Sequence, residues 1–353
     1  MQRDVLDRVV KCKQEQQRVP FIIWNTSPVV LSLLGFDHRR FYLDAAFKLR
    51  AQLQIQDMFP EALLLPGPWP DFGVAVEPSF FGCDIQFQEN DPPWVRTRIP
   101  DIKELLRQPP VDPEKNGLGP EALEQYRYMW ENLDKSYIDR FGYLDGLGYA
   151  LGPMDTAAEL LGYNLLMVEL IDHPKLVHDM FDLITDCLIR WLKAQEKVNG
   201  NLKRVFIPEH AHAQVSPEHF EEFCFPYMTR IFQEFPEALR LYHNEGEVYH
   251  IMERIPEFGA DVFHFGTEIA ETKKRIGKQV CLMGNLDPLE VMLRGSVQTV
   301  RQAAQGVLEI GAQGGGFLLS TAGGMAPGTP LENIQAAIET AGGYRLQYGL
   351  QYG

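Results

Sequence analysis

The stretch "LRLYHNEGE", Leu239 to Glu247, decides how the chain is read. Leu239, Leu241 and Tyr242 form a short apolar run of the kind that fills a buried parallel strand. The run stops in His243 and Glu245, and a glycine and a second carboxylate follow. Side-chain direction repeats every two residues along a strand, so His243 and Glu245 share a face. Burying such a pair without partners is costly. The strand end therefore reads as a site.

Seven further segments carry the same pattern of apolar residues ending in polar or small ones: "VPFIIWN" (19–25), "EALLLPG" (61–67), "YLDGLGYALGP" (143–153), "RVFIPEH" (204–210), "DVFHFG" (261–266), "VCLMGN" (280–285) and "GFLLSTAGG" (316–324). Most are followed by helical stretches. Ser216 is a good N-cap with Pro217 in the first turn after it, and "DHPKLVHDMFDLITDCLIRWLKAQEKV" keeps apolar residues at helical spacing over several turns. Eight strands alternating with helices predict an α/β fold, a (β/α)8 TIM barrel, in preference to an open doubly wound sheet. The expectation is one barrel domain over residues 1–353 with an insertion at about 70–120. Within it "DFGVAVEPSFFGCDIQFQENDPPWVRTRIPD" (71–101) alternates like a small hairpin, and the Pro/Gly-rich "RQPPVDPEKNGLGP" (107–120) follows. Long loops of this kind are often lids or binding elements, so the insertion is expected over the barrel mouth, with an inert surface excursion as the alternative.

Composition narrows the function. Against 33 Lys and Arg stand 48 Asp and Glu, a formal charge of −15. That balance argues against a nucleic-acid surface, which needs clustered cations. The N-terminal "MQRDVLDRVVKCKQEQQ" looks like an amphipathic helix and lacks the apolar core of a secretory signal. No apolar run is long enough to span a bilayer, so no membrane role is expected. Cys12, Cys83, Cys187, Cys224 and Cys281 are odd in number, scattered, and contain no Cys-x-x-Cys pair. Such usage argues against a disulfide framework and fits the reducing cytoplasm.

Catalytic groups of a barrel sit at the C-terminal strand ends. Those ends carry Trp24 and Asn25, Glu209 and His210 with His212 close by, His243 and Glu245, His264, Asn285 with Asp287, and Ser320 with Thr321. Six of the nine histidines fall between residues 210 and 264. Imidazoles and carboxylates around an open position make a catalytic metal site, zinc being the natural occupant; the same groups also suit general acid–base work without metal. The expected metal ligands are His243, Glu245 and Glu209, with Glu222 as a further contender, and His243 and Glu245 are also the expected catalytic pair. Trp24, Asn25, His210, His264 and Asn285 are expected to bind substrate. The blander alternatives are a hydrogen-bonded structural role for any one histidine and a solvated helix face for Glu221 and Glu222. The glycine runs "GAQGGGF" (311–317) and "STAGGMAPGTP" (320–330) match no phosphate loop.

From about residue 140 to the end the chain resembles the uroporphyrinogen decarboxylase superfamily, a family of (β/α)8 barrels. The resemblance rests on "MGNLDP" (283–288) with the later "GTPLEN", on "QVSPEHFEEFCFPY" (214–227) and on "ELIDHPKLVHDMFDLITDCL" (169–188). Its decarboxylases carry a Met-Arg-Gln-Ala-Gly-Arg segment whose arginines hold substrate carboxylates, where this chain has "IIWNTSPVV" (22–30). Its cobamide-dependent methyltransferases are zinc enzymes with a His-x-Cys motif at the strand end occupied here by His243-Asn244-Glu245, and a second Cys in the last loop. His243 carries over, Glu245 stands in place of the first Cys, and "STAGGMAP" offers no second one. The resemblance then implies a first methyltransferase of an O-demethylating system, with a harder, thiolate-free zinc site suited to polarising an oxygen. Its methyl donor would be a small methoxylated compound, an aryl methyl ether, and the acceptor the Co(I) of a corrinoid on a separate corrinoid-binding protein. The chain has no Asp-x-His-x-x-Gly corrinoid motif of its own. Trp24, Trp69, Phe80, Phe81 and Trp94 are candidates to line a pocket for the ring. Two rivals stand beside this reading: a decarboxylase or lyase using His and Glu as acid and base, and a binding barrel without catalysis.

Overall fold

The structure is a computed structural model that describes residues 9–10, 19–24, 26–97, 99–141 and 146–344. Asn25, Cys12 and most of the expected N-terminal helix lie outside the described residues. Eight parallel strands make the centre: β1 Ile22–Trp24, β2 Leu63–Leu65, β3 Leu147–Tyr149, β4 Arg204–Pro208, β5 Leu239–Asn244, β6 Val262–Phe265, β7 Cys281–Leu286 and β8 Phe317–Thr321. Strands β3 to β8 pair neighbour to neighbour, and β1 pairs with β2. A parallel bridge between Phe21 and Leu319 joins β1 to β8. Sequence order is thus the order round the ring, as a (β/α)8 barrel requires. One seam stays open: among the described residues no ladder joins β2 to β3.

Aromatic and amide side chains occupy that seam. The rings of Trp69 and Tyr149 lie 4.5 Å apart. The Gln195 amide accepts from the Tyr149 N–H at 3.0 Å and donates to its carbonyl at 2.7 Å. Gln195 belongs to the helix Pro174–Asn199, where Pro174 fits the first turn and Val177, Phe181, Ile184, Leu188 and Trp191 repeat on one buried face.

Residues 71–106 form a helix Val76–Phe80, an antiparallel hairpin pairing Asp84–Gln86 with Trp94–Arg96, and a helix Ile102–Leu106. Phe80 packs on Trp191 with ring centres 5.3 Å apart. The Glu77 carboxylate accepts from the Leu151 N–H at 3.1 Å, and Thr97 Oγ1 donates to the Glu159 carbonyl at 3.0 Å. The segment therefore packs against the long helix and the chain that follows β3. Lys48, fully buried, donates to the carbonyls of Tyr42 and Asp71 and to Gln125 Oε1, tying the first helices together.

Register positions the site. Pro208, His243, His264 and Met283 stand opposite one another across β4 to β7. The two histidines are thereby side by side at one level of the sheet. No helix among the described residues is long and apolar enough to cross a membrane.

Candidate metal centre at the strand ends

The rings of His243 and His264 have centres 4.6 Å apart, and Trp24 from β1 lies 4.8 Å and 4.4 Å from them. Trp24 also meets Phe206 edge-on at 4.9 Å. These rings form an apolar floor. Above it, His243 Nε2 is 2.5 Å and His210 Nε2 3.3 Å from Glu245 Oε2. His210, His243 and Glu245 each offer one ligand atom within 4.8 Å of the others. His243 is buried, whereas His210 and Glu245 are partly exposed, so the group is open on one side. In the loop after β8, Gly323 has φ +87°, and a Cβ there would stand 3.4 Å from Glu245 Cδ. The positive φ is what favours glycine there, since 3.4 Å is an ordinary contact distance.

His210 is held from behind by Asp155, in the first turn of the helix Pro153–Leu161. Asp155 Oδ2 accepts from the His210 N–H and lies 2.8 Å from His210 Nδ1, while Oδ1 accepts from the Ala211 N–H at 2.9 Å. Nothing in "GPMDTAAEL" marks Asp155 out, because an acid in a first helical turn is ordinary.

Two expected ligands lie outside the group. Glu209 is fully buried beneath it, where its carboxylate accepts from the backbone N–H of Met154 at 2.9 Å and of Asp155 at 2.7 Å. Each oxygen accepts from a helix-terminus N–H, and the residue that converges with His243 and Glu245 is His210. Glu222 sits on the outer face of the helix Pro217–Phe223, half-exposed and 3.5 Å from His178 Nε2. Its helix is capped as the sequence indicates, Ser216 Oγ accepting from the His219 N–H.

Of the residues expected to bind substrate, Trp24 lines the site. His264 and Asn285 each bond a backbone carbonyl through one nitrogen: His264 Nε2 lies 2.8 Å from the Thr321 carbonyl, its Nδ1 having no hydrogen-bond partner, and Asn285 donates to the Thr267 carbonyl at 2.6 Å. Ser320 and Asp287 likewise bond backbone, at Ile22 and at Leu289 and Glu290. His212 lies below the site against the Tyr242 hydroxyl, at 3.1 Å. The other aromatic candidates are spread apart. Phe80 and Phe81 are core, Trp69 fills the seam, and Trp94 is 62% exposed on the hairpin.

The charges follow from these contacts. Burial alone would raise the Glu245 carboxyl, but hydrogen bonds from His210 and His243 outweigh it and hold Glu245 well below the usual carboxylate range. Burial opposes charge on His210, yet Asp155 and Glu245 raise it to about 10. Burial dominates at His243, which is lowered, and at His264, lowered to about 3. Burial and the neighbouring Asp155 push Glu209 well above the usual carboxylate range.

The family description "Uroporphyrinogen decarboxylase (URO-D)" matches residues 40–344, most of the chain. This chain belongs to the uroporphyrinogen decarboxylase family. A uroporphyrinogen decarboxylase of Nostoc punctiforme is 25% identical over 271 residues, covering 74% of this chain and 73% of that protein. A methylated-thiol–coenzyme M methyltransferase of Methanosarcina mazei is 24% identical over 271 residues, covering 76% and 70%. A solved structure of a methyltransferase from Methanosarcina mazei superimposes with a TM-score of 0.79 at 20% identity, over 96% of this chain and 97% of that one. At that identity the superposition speaks for the fold.

Within this uroporphyrinogen decarboxylase family chain, the donor set suits a metal ion. Two imidazole nitrogens and a carboxylate oxygen converging with one side open is an arrangement catalytic zinc takes. Among the described residues no thiolate joins them: Cys83, Cys187, Cys224 and Cys281 are buried and outside the group.

Proposed function

We propose that this member of the uroporphyrinogen decarboxylase family is a zinc-dependent methyltransferase. It moves a methyl group from a methoxylated substrate, an aryl methyl ether, to the Co(I) corrinoid of a separate protein. The observation that carries this reading is the convergence of His210, His243 and Glu245 at the strand ends, with no sulfur donor beside them among the described residues. Binding would displace the extra proton that Asp155 and Glu245 hold on His210; a dication held by one carboxylate and two imidazoles, neutral once ligated, retains net positive charge, which a second anionic ligand would cancel. When bound, zinc supplies Lewis acidity toward the ether oxygen and so favours a phenolate leaving group.

The chain's own residues prepare that site. Glu245 stays ionised, and Asp155 fixes His210. Trp24 and Phe206 close the floor with apolar surface and keep water from the inner side. His264 holds the β8 loop through the Thr321 carbonyl. The rival reading, decarboxylation, draws on the relatives that are decarboxylases. It wants cations for substrate carboxylates at the end of β1, where "IIWNTSPVV" supplies none and Trp24 packs on the histidines.

The test is a mixture of zinc-loaded protein, a methoxyphenol and a corrinoid protein reduced to Co(I). Loss of the Co(I) absorbance with release of the demethylated phenol is the expected result. No methyl transfer from a panel of methoxylated aromatics, together with carbon dioxide release from a porphyrinogen, would replace this reading with the decarboxylase.

A further inference from the structure

We infer that Asp155 is a positioning residue that presets His210 as a metal donor; the inference rests on the metal reading of the site. Its two oxygens hold three donors in a row, the N–H of His210, the N–H of Ala211 and His210 Nδ1. A hydrogen bond that fixes one imidazole nitrogen aims the other, and a carboxylate behind a ligating histidine is a recurrent way of setting ring orientation and basicity. Here the fixed nitrogen is Nδ1, and Nε2 is the one turned toward Glu245.

The two histidines differ in how they are held. His243 is buried among the rings of Trp24 and His264, and its Nδ1 has no hydrogen-bond partner. Packing fixes it from behind, and Glu245 meets it only at the ligand nitrogen, Nε2. His210 has a side chain 43% exposed and meets the edge of one ring, that of His243 at 5.1 Å, so Asp155 supplies the remaining constraint.

Asp155 is itself anchored from the same strand end. Glu209, the residue before His210, accepts from the N–H groups of Met154 and Asp155. Met154, Ala157, Leu160 and Leu161 bury the apolar side of the helix that carries Asp155. The helix cannot shift relative to β4 without breaking either the cap or the core. Residues 209 and 210 and the first turn of this helix thus form one closed clasp, from which His210 Nε2 turns toward Glu245. In this arrangement Glu209 serves by position, not by ligation.

The experiment is a double-mutant cycle read as zinc affinity, measured by competition with a chromogenic chelator. Asp155→Ala is expected to weaken zinc binding by roughly 10–100-fold. In a His210→Ala background the same change is expected to have almost no effect, because the ligand it positions is gone. X-ray absorption at the zinc edge should count one imidazole fewer in Asp155→Ala than in the unaltered protein. Asp155→Asn, of the same size, runs through the same cycle should Asp155→Ala fold poorly, and the same non-additivity is expected. Equal losses in both backgrounds, or unchanged zinc affinity in both Asp155 variants, would overturn the inference while leaving the metal site standing. An unaltered protein that binds no zinc would remove the metal reading itself, and the inference with it.

Discussion

His243 and Glu245 lie two residues apart at the end of β5, and the period of the strand turns both to the same side. That much was legible in the sequence, because an apolar run ending in His-x-Glu has few bland explanations. The third member was not. Glu209 and His210 are adjacent, and a strand end leaves open which of two neighbours faces inward and which serves a backbone. The structure gives the carboxylate to a helix terminus and the imidazole to the site. Asp155 was invisible for the opposite reason, since its role depends on a neighbour 55 residues away. At this scale, His243→Ala and Glu245→Ala should each abolish stoichiometric zinc in the purified protein, as metal analysis will report. Glu222→Ala should leave zinc content unchanged; loss of zinc there would place it in the ligand set.

All eight strands fall within, or one residue beyond, the segments picked out by short apolar runs. Parallel strands buried on both faces leave that signature, which is why the elements were readable before the ring they form. The seam between β2 and β3 was not readable, because pairing is a relation between distant segments. It is bridged by Trp69, Tyr149 and Gln195. The expected hairpin is present as Asp84–Gln86 with Trp94–Arg96, and the contacts described for its segment are with the long helix and the chain after β3. The junction of β3 with its helix yields an element-scale prediction. A Cβ on Gly152 would come within 2.1 Å of Glu209 Oε2. Gly152→Ala should therefore cost about 1–3 kcal/mol through overpacking. Urea denaturation checks this, and zinc affinity should fall alongside because the helix carrying Asp155 is displaced. Full stability and full zinc affinity in Gly152→Ala would contradict the clasp.

For the molecule as a whole, two titrations connect fold and site. Glu77, in the insertion, is fully buried against Leu151 just beyond β3, and burial raises its carboxyl to about 7. A carboxyl raised in the folded state contributes its stability below the unfolded value, near 4.5, and loses it as pH climbs through about 7. Glu77→Gln keeps an acceptor for the Leu151 N–H and cannot ionise. The variant should match the parent near pH 5 and exceed it at pH 8 by roughly 1–3 kcal/mol, measured from urea midpoints. A constant difference across that range would show that Glu77 does not titrate with the fold. Zinc provides the second titration. Removing it with a chelator should lower the melting temperature, and free metal at a hundredfold excess over Kd should return about 2.7 kcal/mol. His243→Ala should show no such response.

The most direct measurement is zinc content combined with zinc-edge X-ray absorption on the purified protein. The account predicts about one zinc per chain, bound through nitrogen and oxygen with no sulfur in its shell. Absence of zinc even after reconstitution, or sulfur in the shell, would contradict the site and the methyl-transfer chemistry built on it.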